Sequence, residues 1–137
     1  GFVKKKQADR EILEGIRQMN IKLDDQRQAV KSLSGGNQQK IVFSKWIKTN
    51  PQILILHEPT RGIDVQSKLE IYELIRRLTG EGVSVLVFTS DMLELIGISD
   101  EIYVMYEGRI SGRVAGKDAT EEAIMQLSAN TGKEERP

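Results

Sequence analysis

Leu33-Ser34-Gly35-Gly36-Asn37-Gln38-Gln39-Lys40 is the stretch on which the reading of this chain turns. Serine is a strong helix N-cap, and Val42, Phe43, Trp46 and Ile47 follow at helical spacing. The pattern predicts a helix from residue 35 to about residue 49, stopped by Asn50-Pro51 because a residue ahead of proline avoids the helical region. A helix N-terminus presents unpaired N–H groups and a partial positive charge. Two glycines there let the backbone come close to a phosphate, since no Cβ stands in the way, and Ser34 adds a hydroxyl donor. The same residues also read as an ordinary glycine-rich helix start with no ligand.

Working outward, residues 7–19 place Ile12, Leu13, Ile16 and Met19 at helical spacing, with Gly15 weakening the helix. Residues 20–32 are polar and predict a loop or short extended segment. On the other side, Ile53-Leu54-Ile55-Leu56 forms a continuous apolar run, the pattern of a strand buried on both faces in a parallel sheet. Residues 66–78 predict a helix with Leu69, Tyr72, Leu74, Ile75 and Leu78 inward, and Gly80 and Gly82 bracket its exit. A second apolar strand is expected over 83–88 and a short helix over 91–96. Residues 101–106 and 109–114 read as a hairpin turning at Glu107-Gly108. Asp118 or Thr120 is expected to cap a last helix reaching about residue 129, and the charged end, residues 131–137, reads as disordered. Strand, helix, strand, helix and hairpin in this order predict an α/β fold with at least two parallel strands.

Composition narrows the function classes. The 137 residues suffice for one domain with a real core. Twenty basic and 20 acidic side chains cancel, so bulk charge gives no argument for a nucleic-acid partner or an acidic membrane surface. The absence of cysteine excludes a disulfide framework and thiolate metal sites, and it fits a reducing cytoplasm. No apolar run approaches the roughly 18–20 residues that span a bilayer. The start, Gly1-Phe2-Val3-Lys4-Lys5-Lys6, is basic without an apolar signal core, and it lacks an initiator Met, as an excised piece or a processed protein would.

Residues 33–40, followed by Ile53-Leu54-Ile55-Leu56-His57-Glu58-Pro59-Thr60, resemble the signature motif and Walker B strand of an ATP-binding cassette (ABC) ATPase. Gln38-Gln39-Lys40 after the signature is similar to the second ATPase domain of sugar importers. So are Glu70-Ile71-Tyr72-Glu73-Leu74-Ile75, Ser99-Asp100-Glu101-Ile102 and Val104-Met105-Tyr106-Glu107-Gly108-Arg109-Ile110. The resemblance runs from about residue 8 to residue 130. In that family the signature touches the γ-phosphate of ATP held by the other domain of a head-to-tail dimer. It therefore implies that Ser34, Gly35, Gly36 and Asn37 bind ATP in trans, with Asn37 where many members have Gln. Thr60-Arg61-Gly62-Ile63-Asp64 matches the D-loop that crosses the dimer interface, with Asp64 as its acidic residue, and Asp64 also reads as a plain helix N-cap.

Two positions depart from the family pattern. An Asp-Glu pair at the strand end would hold Mg²⁺ and orient the attacking water. Here Glu58 matches the catalytic Glu, while His57 stands at the Asp position. Imidazole is a poor ligand for Mg²⁺, which prefers hard oxygen donors. Three readings stay open for His57: a natural degenerate site, an engineered or cloning change, and a switch to a softer metal. The last lacks a second His or any Cys to support it. Ser90 occupies the switch position where most members carry a His on the γ-phosphate; it also reads as a helix N-cap.

A Walker A loop needs Gly, four residues, then Gly-Lys-Ser/Thr. Gly112-Arg113-Val114-Ala115-Gly116-Lys117-Asp118 comes nearest, with three intervening residues and an acid where a hydroxyl belongs, and it reads as a loop before the last helix. The resemblance thus implies a partial P-loop NTPase core. Residues 1–50 would be the end of the helical subdomain and 51–130 the Walker B half, with a mostly parallel sheet, helices on its faces, and a C-terminal β-hairpin plus helix. The missing Walker A strand would lie beside residues 83–88, leaving an exposed edge or apolar gap that favours self-association. In the intact assembly the resemblance implies ATP and Mg²⁺ as cofactors, and a second nucleotide-binding domain and transmembrane permease subunits as partners. It implies a cytoplasmic place on the inner face of the membrane and ATP hydrolysis coupled to sugar import. The isolated chain is expected to be inactive and to hold no cofactor. The rival expectations are a non-catalytic module docking on an ATPase and a soluble ABC protein of DNA repair or translation, the latter disfavoured by the balanced charge.

Overall fold

The structure is a computed structural model, and it describes residues 5–25 and 27–129. The chain divides into two compact units, residues 1–88 and 89–137. The disorder expected of residues 131–137 falls outside the described residues.

In the first unit, helix α1 (Lys5–Gln18) ends where Asn20 turns to φ 47°. The Asn20 N–H donates to the Arg17 carbonyl at 3.2 Å and the Ile21 N–H to the Ile16 carbonyl at 3.0 Å, so the last carbonyls are satisfied by a Schellman turn. Asparagine tolerates this left-handed position better than most side chains. Gly15, which weakens the helix on propensity, is buried where the next helix crosses: a Cβ there would stand 2.8 Å from Ser44 Oγ. The described residues of 20–32 contain no strand, and the stretch closes with a 3-10 turn, Val30–Ser32. Helix α2 (Gly35–Ile47) follows, capped by Ser34 as the sequence predicts.

Strand β1 (Ile53–His57) and strand β2 (Ser84–Phe88) pair in parallel, Ile53 opposite Ser84 and His57 opposite Phe88. Helix α3 (Val65–Gly80) connects them and buries Ile71, Leu74, Ile75 and Leu78. Leu69, expected inward, is exposed, and Ile71 takes its place in the core. Gly82 at φ 92° closes α3 with a second Schellman turn, the Val83 N–H reaching the Leu78 carbonyl at 3.0 Å.

The expectation that residues 53–56 are buried on both faces is overturned. Leu54 is 7% exposed, whereas Ile53 and Ile55 are 66% and 64% exposed. The period-2 side-chain alternation turns these two to a face with no described element over it. Val42 and Trp46 of α2 are likewise exposed, and only Phe43 of the expected stripe is fully buried. Val42, Trp46, Ile53 and Ile55 line one cleft of about 480 Å³.

The second unit opens with helix α4 (Met92–Ile98). Asp91 caps it, accepting from the Leu93 and Glu94 N–H groups, each at 3.1 Å. The expectation that Ser90 is the cap is therefore wrong: Asp91, one residue nearer the helix, reaches both amides with a single carboxylate oxygen, Oδ1. Strands β3 (Glu101–Tyr106) and β4 (Arg109–Ala115) form the antiparallel hairpin, with Glu107 at φ 47° and Gly108 at φ 77° in its turn. Residues 112–114 belong to β4, as the hairpin reading of 109–114 expects and against the reading of Gly112 onward as a loop, and Gly112 lies against Leu127. Of the two candidate caps, Thr120 starts helix α5 (Glu121–Ser128), its Oγ1 accepting from the Ala123 N–H at 3.1 Å, while Asp118 sits in a 3-10 turn. Ile102, Val104 and Ile124 form this unit's core, with Leu95 and Leu127 packed on it.

The exposed cleft has a measurable consequence. Uncovered apolar surface of this kind drives association. Sedimentation velocity over a concentration series is expected to show the chain self-associating, and Ile55→Lys to weaken the effect. A sharp monomer boundary at the highest concentration, with a cooperative melt, would contradict this.

Candidate functional site

Ser34 Oγ accepts from the Asn37 N–H at 3.4 Å and from Asn37 Nδ2 at 3.0 Å. A serine hydroxyl has two acceptor positions and one donor hydrogen. Asn37 takes both acceptor positions, so the Ser34 O–H is left to point away from it as a donor. Asn37 is itself held from the far side, its Oδ1 accepting from the Lys22 N–H at 3.0 Å. Its side chain is engaged in setting Ser34.

The two signature glycines differ. Gly35 is exposed, and an added Cβ would meet only Ile63 Cγ2 at 3.4 Å and the Gly62 carbonyl at 3.7 Å. Gly36 is buried, and a Cβ there would collide with the side chain of Ser67. The missing Cβ of Gly36 thus serves an approach between helices, and the opening toward a ligand belongs to Gly35. Asp64 caps α3, as the sequence allows: its carboxylate accepts from the Ser67 N–H at 2.9 Å and from Ser67 Oγ at 2.6 Å. The Ser67 hydroxyl foremost, and then the Ser67 amide, hold the Asp64 carboxyl below the usual carboxylate range. Gly36, Ser67 and Asp64 are therefore in mutual reach, and the N-termini of α2 and α3 lie side by side.

One turn further along, Lys40 is 4% exposed. Its ammonium pairs with Glu70 Oε2 and donates to the Asn20 carbonyl at 3.1 Å. The hydrogen bond from Lys40 is the main reason the Glu70 carboxyl is held below the usual range. Sequence reasoning missed this pair and Ser67. A signal existed: the buried residues of α2 are Gly36, Lys40 and Phe43, so a lysine stands on the core stripe and requires a partner for its charge.

At the end of β1, His57 is exposed and Glu58 sits at φ 47°, a costly conformation for a residue with a Cβ. The Glu58 N–H donates to the Phe88 carbonyl at 2.7 Å and its carbonyl accepts from the Arg61 N–H at 3.2 Å, which fixes the turn. Pro59 and Thr60 behind it are fully buried. Among the described residues no group of three or more His, Cys, Asp or Glu side chains is arranged to hold a metal ion. With an imidazole at the strand end in place of a carboxylate, these residues do not fit Mg²⁺. Ser34, Gly35, Gly36, Asn37 and Asp64 are brought together; His57 and Glu58 share the end of β1; Ser90 lies in the second unit, exposed, just before the α4 cap.

The family described as ABC transporter matches residues 3–61. The ribose import ATP-binding protein RbsA of Clostridium perfringens is 48% identical over 124 residues, which are 90% of this chain and 25% of that protein. Over most of its length the chain is thus similar to the ATP-binding proteins of ABC importers. A second ABC relative, the L-arabinose transport ATP-binding protein AraG of Geobacillus stearothermophilus, is 49% identical over 130 residues, 93% of this chain and 25% of its own length. The chain spans about a quarter of the length of these curated relatives. A dimeric ABC cassette bound to ADP and phosphate after hydrolysis superposes with a TM-score of 0.72 at 22% identity, covering 84% of this chain and 50% of that one. The cassette cbiO1 from Clostridium perfringens gives 0.71 at 23% identity, covering 95% and 52%. The fold is that of an ABC cassette, present in part.

The unequal roles of the glycines can be checked by urea denaturation. Gly36→Ala drives a methyl into Ser67 and is expected to cost about 1–3 kcal/mol. Gly35→Ala is expected to change stability by less than about 1 kcal/mol. Equal effects would contradict the assigned packing.

Proposed function

We propose that this chain is the part of a sugar-importer ATP-binding protein that supplies a signature motif to an ATP site whose phosphate-cradling loop lies on another domain. The observation that carries this reading is the state of Ser34: Asn37 donates to its oxygen twice, which leaves the hydroxyl hydrogen available to donate, beside an open Gly35, at a helix N-terminus. The Ser34 O–H and the Gly35 and Gly36 N–H groups would hold the γ-phosphate in trans, and Asn37 fixes the hydroxyl that does so. ATP supplies the phosphoanhydride whose binding and hydrolysis drive the cycle. Asp64, at the adjacent helix end, would face the same second domain. Residues 1–50 would end the helical subdomain and 51–130 form the Walker B half of the core.

The chain's own strand end supports a weaker role. Glu58 would be the water-orienting carboxylate, yet His57 beside it does not suit Mg²⁺, so the reaction is not routed through this strand end. Good phosphate-facing residues beside poor hydrolytic ones are what a composite site produces, because the two sets serve different nucleotides. The relatives' sugar substrates, a permease partner and a cytoplasmic place on the membrane's inner face extend to this chain as part of the same proposal. Among the described residues no helix is long and apolar enough to cross a membrane. The exposed cleft of Val42, Trp46, Ile53 and Ile55 favours a second reading, a non-catalytic module docking on an ATPase.

Nucleotide titration of the isolated chain tests the first reading. No saturable ATP binding and no hydrolysis are expected from the chain alone. Tight ATP binding by the chain would overturn the composite site.

A further inference from the structure

A buried lysine is rare unless its charge is fully met. Lys40 meets that condition with two partners on two different elements: the Glu70 carboxylate on α3 and the carbonyl of Asn20. Asn20 is the left-handed residue that closes α1, so the ammonium ties the α1 exit to α2 and α3 at one point. Along α2, Lys40 follows Gly36 by four residues; along α3, Glu70 follows Ser67 by three. Each spacing returns to the same helix face. The ion pair therefore sits one turn behind the close contact of Gly36 with Ser67. One contact between two helices sets their distance and leaves them free to pivot. A second contact one turn away removes the pivot.

We propose that Lys40 and Glu70 are positioning residues that lock the Ser34–Gly35 end of α2 to the Asp64 cap of α3, so that an anion held at the first and a contact made at the second are felt as one event. Its functional meaning rests on the signature reading above; the mechanical coupling does not. A change at Lys40 or Glu70 reaches Asp64 through Ser67, whose hydroxyl and amide both bind the Asp64 carboxylate. The side chains that would carry phosphate contacts need not be altered for the site to lose its shape.

The test is made on the full chain without nucleotide, so it stands whether or not ATP is ever bound. The Asp64 carboxyl is titrated by carbon-detected NMR in the wild type, Glu70→Gln, Lys40→Met and Lys40→Arg. Neutralising Glu70 removes a nearby negative charge, which by electrostatics alone would lower the Asp64 pKa. Loosening of the Ser67 hydrogen bonds would raise it. We expect Glu70→Gln to raise it, and Lys40→Arg, which keeps the charge and donors, to leave it near the wild-type value. Exchange at the Asn37, Gln38, Ser67 and Lys68 amides is expected to quicken together by about tenfold in Glu70→Gln and Lys40→Met, while the β3–β4 amides hold. Should Lys40→Met fail to fold, Glu70→Gln, which keeps the side-chain shape and an acceptor oxygen, carries the test. A lowered or unmoved Asp64 pKa in Glu70→Gln, or quickened exchange on one helix alone, would overturn the proposal.

Discussion

The close approach of α2 to α3 is the constraint on which the first unit depends. It works only because residue 36 has no Cβ, which lets the Ser67 side chain occupy that space. Ser67 in turn reaches Asp64 with both its hydroxyl and its amide. The pair of buried Lys40 with half-buried Glu70 repeats the link one turn on, where the α1 exit joins it through the Asn20 carbonyl. A glycine usually explained by ligand access is here explained first by helix packing. The access it seemed to provide falls to Gly35.

This geometry gives the Ser34 cap more than a structural task. Caps commonly satisfy one orphan amide and leave their hydroxyl hydrogen free to turn. Ser34 receives two donors from one residue, and Asn37 is held by the Lys22 N–H so that it cannot swing away. The two donations favour a hydroxyl hydrogen turned away from Asn37, toward the side an anion would take. Preorganised donors are worth more than donors that must reorient on binding.

The order of elements was readable in the residues, because caps and apolar periods are local. Ser34, Asp64 and Thr120 cap where their side-chain chemistry places them, and Glu107-Gly108 turns the hairpin. What failed depends on what covers a surface. A continuous apolar run such as residues 53–56 implies two covered faces, yet Ile53 and Ile55 face outward, since burial belongs to the neighbours as much as to the strand. Ser90 lost the cap to Asp91 because two adjacent candidates compete and the carboxylate accepts two amides. The partnership of Lys40 with Glu70 spans 30 residues and has no local mark beyond a lysine on a buried stripe. Ser67 has no mark at all, since its role comes from a glycine on another helix.

The central claim is that the Ser34–Gly35 end of α2 meets a phosphate held by another domain. The most direct measurement follows the Gly35 and Gly36 amide resonances of the labelled chain mixed with an ABC cassette that carries its own phosphate-binding loop. The account predicts that both resonances shift when that cassette is loaded with ATP, and stay in place with ATP alone or with the empty cassette. Shifts produced by ATP alone, or none with the loaded cassette, would contradict it.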